Sequence, residues 1–295
     1  MFKKLAQTAT RVLVATALLS ATSAYAQEVR VGGKNFTEQL LVAEITNQFL
    51  TAKGMDVEKR DGMGTSVLRA ALENDQLDVY WEYTGTSLVT FNKVEDKLSA
   101  EDTYNKVKEL DAKVGITWLN PSAANSTYAI AVRASDDKGL STISDLAAAY
   151  NGDAGLKFGV NAEFPKRPDG LPGMEEAYGF DVARKNLAPM QTGLIYQALK
   201  DEQLDIGLVF ALDGRIQAFD FKVLKDDKEF FPNYALTPNI RTEYLDANPE
   251  VGTLLNTLSA VFTDEIVRDL CARVDVDKKT VEDVSAAFLS EQGLI

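Results

Sequence analysis

Apolar positions along the chain follow two rhythms: short runs rich in β-branched and aromatic residues, and longer stretches with an apolar residue every three or four positions. Residues 28–32 (EVRVG), 55–60, 79–83 (VYWEY), 117–119, 128–132, 156–160, 204–210 and 221–224 read as strands. A helix is predicted after Asn35 or Thr37, with Leu40, Leu41, Ala43, Ile45 and Phe49 on its inner side and a stop at Gly54. Another follows the Gly-containing turn at residues 61–66, where Thr65 or Ser66 is the candidate cap. Further helices are expected over residues 101–113, 143–150 and 192–200. Beyond Asn248 the chain reads as mostly helical, with Leu254, Leu255, Leu258 and Val261 on a face expected to pack on the first half. Strands alternating with helices place the chain in the α/β class.

One pattern occurs twice. Residues 71–83 read ALENDQLDVYWEY and residues 198–210 read ALKDEQLDIGLVF, and the same offset of 127 positions relates Gly32 to Gly159. The expectation is two lobes on one plan, each a sheet flanked by helices. Tyr83 and Phe210 then fall at the carboxyl ends of matching strands, where open α/β sheets collect ligands. The polar segment 120–127 reads as a first crossover and FFPNY (230–234) as the return. Lobe I is therefore expected over residues 27–126 and 235–295, and lobe II over 127–234. A ligand cleft lies between them, in a layout suited to hinge closure.

Composition narrows the chemistry. Lys3, Lys4 and Arg11, the apolar run at residues 12–19 and Ala24-Tyr25-Ala26 form a cleavable signal peptide over residues 1–26. Without those three cations the 31 basic side chains fall to 28 against 44 acidic ones, which argues against a nucleic-acid or anionic-lipid partner. The lone cysteine, Cys271, can form no disulfide within the chain and does not follow the leader, so free export to a periplasm is expected rather than lipid anchoring. Histidine is absent, which excludes Ser-His-Asp and Cys-His catalysis and His-containing metal sites. No cofactor or metal is expected.

Arg167 stands between Pro165 and Pro168, which restrict its loop and make it the best candidate for a preorganised anion clamp. Lys34 lies at a strand end, and Thr84-Gly85-Thr86 sets hydroxyls beside Tyr83.

Six motifs in order, GKNFTEQ (33–39), EYTGTSL (82–88), NPSAANSTYA (120–129), FPKRPDGL (164–171), ALDGRI (211–216) and FFPNYALTP (230–238), together resemble the substrate-binding proteins of osmoprotectant ABC importers. The resemblance runs along nearly all of the mature chain, and the periplasmic enterobacterial branch is the most similar. It implies the type II periplasmic-binding-protein fold and, as ligand, a quaternary ammonium solute such as glycine betaine, proline betaine, carnitine or choline. It further implies an aromatic cage of Tyr83, Tyr128, Phe210 and Tyr234, with Lys34, Thr86 and Arg167 on the ligand carboxylate. Phe210 stands where the family pattern leads one to expect Tyr, keeping the π-face without the hydroxyl. The implied partners are ABC permease subunits with a cytoplasmic ATPase, and the chain itself is expected to be a monomer. Aromatic faces suit a trimethylammonium group, which has no N–H to donate. Two other readings stand beside this one: a binding protein for another small solute such as an amino acid, and an exported hydrolase using Glu82 and Asp213 as paired carboxylates.

Overall fold

The computed structural model describes residues 28–295, so the signal peptide expected at residues 1–26 lies outside the described residues. In chain order the first elements are β1 (Glu28–Lys34), α1 (Thr37–Ala52), β2 (Asp56–Met63), α2 (Thr65–Glu73), β3 (Val79–Tyr83), α3 (Ala100–Ala112) and β4 (Ile116–Trp118). There follow β5 (Tyr128–Arg133), α4 (Ile143–Asn151), β6 (Phe158–Val160), α5 (Leu171–Tyr178), β7 (Leu187–Pro189), α6 (Thr192–Lys200), β8 (Ile206–Phe210), α7 (Arg215–Ala218) and β9 (Phe221–Val223). The chain ends with β10 (Leu236–Arg241), α8 (Thr242–Ala247), α9 (Pro249–Val261), α10 (Asp264–Asp275) and α11 (Val281–Glu291).

The strands form two five-stranded sheets, ordered β2-β1-β3-β10-β4 and β7-β6-β8-β5-β9. In the first, β1 runs parallel to β2 and β3 while β10 runs antiparallel to β3 and β4. The second repeats those senses with β6, β7, β8, β5 and β9 in the corresponding places. Each sheet thus holds one antiparallel strand: β10, which the first sheet receives after the chain has returned, and β5, with which the chain enters the second. The two connecting segments run side by side, where Ser126 N–H donates to the Tyr234 carbonyl (3.1 Å) and Leu236 N–H to that of Ala124 (3.0 Å).

The internal repeat reaches individual atoms. A Cβ added to Gly32 would meet Leu68 and Leu77, and one added to Gly159 would meet Ile195 and Leu204, which lie 127 positions further on. Helix and strand approach this closely only where the strand carries no side chain. Asp78 accepts from Arg30 N–H at 2.9 Å, and its counterpart Asp205 accepts from Lys157 N–H at the same distance. Even the left-handed turn residues correspond, with φ of 58° at Asp75 and 60° at Glu202.

Three local expectations are corrected. Neither Asn35 nor Thr37 caps α1: the cap position is Phe36, and the Thr37 hydroxyl donates instead to Asp275 (2.9 Å). Neither Thr65 nor Ser66 caps α2, which starts after Gly64. No helix is expected over residues 171–178, yet α5 forms there with Pro172 in its first turn, where proline is tolerated because those N–H groups lack internal partners. The carboxyl-terminal helices pack as expected: α9 lies on β10, and α10 and α11 lie on α1. Leu255 and Leu258 are fully buried there, and Cys271 is a buried free thiol. Among the described residues no helix is long and apolar enough to cross a membrane.

Candidate functional site

A cavity of about 430 Å³ opens between the lobes, within the size range of small-molecule sites. Lys34 at the end of β1, Tyr83 at the end of β3 and Thr86 in the π-helical turn at Thr86–Phe91 reach it from the first lobe. Arg167 and Phe210 reach it from the second, and Tyr128 and Tyr234 from the two crossovers. All seven sequence candidates therefore meet on one cavity.

The rings are held from behind. The Tyr83 hydroxyl donates to Glu38 (2.7 Å) and accepts from Gln39 (2.9 Å), and the Tyr234 hydroxyl donates to Asp169 (2.8 Å). Anchoring their polar ends holds both rings in place on the cavity wall. Tyr128 packs against Tyr234, centroids 5.9 Å apart at 71°, and against Phe210 at 5.4 Å and 25°. Burial raises the Tyr128 phenol to about 12 and pushes those of Tyr83 and Tyr234 well above the ordinary tyrosine value, so all three stay neutral near pH 7. Burial likewise raises the Glu38 carboxyl, against the lowering effect of its bonds from Ser126 and Tyr83.

Both cations are already partnered. Lys34 is almost wholly buried, forms an ion pair with Glu82, and sits 4.7 Å from the centre of the Tyr83 ring. Arg167 donates Nε and Nη2 to Asp169 and, from Nη2, to the Thr86 hydroxyl of the opposite lobe at 3.2 Å. The parallel fork that the sequence reading reserves for a ligand carboxylate is thus taken by Asp169. Nη1 lies outside that fork. In return the guanidinium is fixed in direction, which lowers the entropy lost on binding.

Sequence reasoning missed Phe36, Glu163 and Asp169. Phe36 stacks on Phe210 across the cleft, centroids 4.7 Å apart at 16°, and lies 6.5 Å from Tyr83. Its signal was available in GKNFTEQ, an aromatic residue at a strand exit. Asp169 stands two residues from Arg167 in the motif FPKRPDGL, where an acid so close to the clamp is the cue. Glu82 and Asp213, the pair a hydrolase would use, are engaged internally: Glu82 holds Lys34 and the Tyr83 N–H, and Asp213 forks onto Arg215. Neither lines the main cavity. Among the described residues no group of acidic, cysteine or histidine side chains could hold a metal.

Two sheet-and-helix lobes joined by paired crossovers around one cavity define a two-lobed solute-binding protein. Residues 27–291 match the family model described as the substrate binding domain of ABC-type glycine betaine transport system, and the chain belongs to that family. It is 41% identical over 292 residues to a glycine-betaine-binding protein of Pseudomonas aeruginosa, covering 96% of this chain and 94% of that one. The glycine betaine-binding protein YehZ of Escherichia coli is 30% identical over 292 residues, covering 95% and 96% of the two chains. Among solved structures, apo YehZ from Escherichia coli superposes with a TM-score of 0.65 at 30% identity, over 92% of this chain and 100% of that one. The fold is therefore that of the type II periplasmic binding proteins, as the sequence resemblance implies.

Proposed function

We propose that this chain is exported to the periplasm as a monomer, captures a quaternary ammonium solute such as glycine betaine, choline or carnitine, and delivers it to ABC permease subunits driven by a cytoplasmic ATPase. The lobes that close on the ligand are residues 27–126 with 235–295, and residues 127–234. The observation that carries this reading is the convergence of Tyr83, Tyr128, Phe210 and Tyr234, from both lobes and both crossovers, on a single cavity. Aromatic faces attract a methylated cation by their quadrupoles and exclude water from it, at roughly 0.5 to 2 kcal/mol for each contact. Lys34, Thr86 and Arg167 would orient a carboxylate where the ligand has one. Because walls come from both lobes, the cage is complete only when they are together, so ligand binding and closure share one free energy.

Equilibrium dialysis of residues 27–295 with radiolabelled glycine betaine and radiolabelled choline tests this. Saturable binding of either, displaced by the other but not by an equal excess of amino acids, is expected. Displacement by amino acids in place of quaternary compounds would reassign the cavity to another class of small solute.

A further inference from the structure

Helix α2 begins without a cap of its own. Gly64, in extended backbone at φ −74° and ψ 155°, has no side chain to offer the first N–H groups. One of them is met from the opposite lobe: Glu163 Oε1 accepts from Thr65 N–H at 2.8 Å. Glu163 belongs to the loop that leaves β6, and Asn161 Oδ1 fixes that loop by accepting from the N–H groups of Glu163 (3.1 Å) and Phe164 (2.8 Å). The other carboxylate oxygen of Glu163 lies 3.8 Å from Arg167 Nη1, the nitrogen that Asp169 leaves uncommitted. One carboxylate therefore spans the lip of the first lobe and the guanidinium of the second.

The internal repeat gives this position a counterpart. Glu163 lies 127 positions after Phe36, and both stand where the chain leaves the matching strands β1 and β6. Each reaches across the cleft, Phe36 to stack on Phe210 and Glu163 to close the N-terminus of α2.

We propose that Glu163 is a positioning residue that latches the ligand-bound, closed form: it completes α2 from the opposite lobe and steadies Arg167 toward the ligand, so that its chief effect is to slow ligand release. The inference rests on capture of a quaternary ammonium solute by lobe closure. A carboxylate at a helix N-terminus satisfies an orphan donor and complements the helix dipole. Because donor and acceptor belong to different lobes, opening returns both to water. The contact thus stabilises the closed state selectively, which is the condition for shifting the equilibrium toward it.

Stopped-flow binding of glycine betaine to residues 27–295 tests the latch with Glu163→Ala, Glu163→Gln, Thr65→Pro and the Glu163→Ala/Thr65→Pro double variant. Proline removes the Thr65 N–H while fitting the first helical position, and the extended Gly64 backbone suits a residue before proline. Glu163→Ala and Thr65→Pro should each speed release by about five- to tenfold, the scale of one lost cap. Association should change by less than about twofold, as usual among variants whose affinity differs mainly in release. The double variant should release no faster than Glu163→Ala alone, since Glu163→Ala already loses both contacts, and Glu163→Gln, whose amide oxygen still accepts, should keep most of the wild-type residence time. Unfolding midpoints of the ligand-free variants should match wild type. An unchanged release rate in Glu163→Ala, additive effects in the double variant, or a lowered ligand-free midpoint would each overturn the latch. A wild-type chain that binds no quaternary ammonium compound overturns the functional reading and the latch with it, whereas normal wild-type binding with unchanged release in Glu163→Ala overturns the latch alone.

Discussion

Tyr234 separates what a ring contributes from what its hydroxyl contributes. The hydroxyl is spent on Asp169, behind the cavity, while the ring packs beside Tyr128 on the cavity wall. Tyr234→Ala should weaken binding of a trimethylammonium ligand by about tenfold or more, since one desolvated cation–π contact is worth over about 1.4 kcal/mol. Tyr234→Phe keeps the ring and should stay within about threefold of wild type, because it loses a single hydrogen bond of modest net worth. Fluorescence titration of the two variants checks the ordering, and equal losses in both would move the role of Tyr234 from the cage to the support of Asp169 and Arg167. At this scale the sequence was informative about residue type and silent about partners. Tyr83 and Phe210 are legible as aromatics at matching strand ends, whereas Tyr128 and Tyr234 enter only through what the family resemblance implies. The Lys34–Glu82 pairing is not legible, because an ion pair between buried side chains 48 positions apart leaves no periodicity to read.

The π-helical turn that carries Thr86 owes its position to one buried carboxylate. Asp111 on α3 accepts from both terminal nitrogens of Arg69 on α2 at 2.8 Å, and from Ser87 (2.7 Å), Asn92 (2.9 Å) and Trp118 (2.7 Å). Burial alone would raise the Asp111 carboxyl, but the Arg69 hydrogen bonds and charge, with those of Asn92 and Ser87, outweigh it and hold the group below its ordinary 3.8. A carboxyl depressed in the folded state stabilises the fold above its unfolded value, and that contribution fades as pH falls through the lower folded one. Asp111→Asn removes the buried one of the two carboxylates that Arg69 meets, leaving only the half-exposed Glu73, and should cost on the order of 3 kcal/mol near pH 7. Urea unfolding at pH 7 and at pH 3 checks both the loss and its narrowing on acidification. A pH-independent difference would mean that the hydrogen bonds, rather than the charge, hold the turn. Elements were legible in proportion to their length and periodicity. The long helices α1 and α3 and the aromatic strand β3 read directly, whereas α5 is hidden by Pro172 and Gly173, and the cap of α2 comes from a residue 98 positions away.

For the whole molecule, the offset of 127 positions predicts two lobes with matching strands, and the two sheets match strand for strand in order and sense. The repeat also makes plain what the lobes do not share: Phe36 and Glu163 occupy equivalent places and make opposite kinds of cross-cleft contact, apolar on one side and polar on the other. A cavity walled by aromatic rings should read methylation of the cation. Calorimetric titration of residues 27–295 with glycine, N-methylglycine, N,N-dimethylglycine and glycine betaine tests it most directly, because charge and carboxylate stay constant while N–H donors are exchanged for methyl groups. Glycine betaine should bind saturably, affinity should fall with each methyl removed, and glycine should give no measurable heat. Affinity that is flat along the series, or that rises toward glycine, would mean that the aromatic rings do not select the methylated cation.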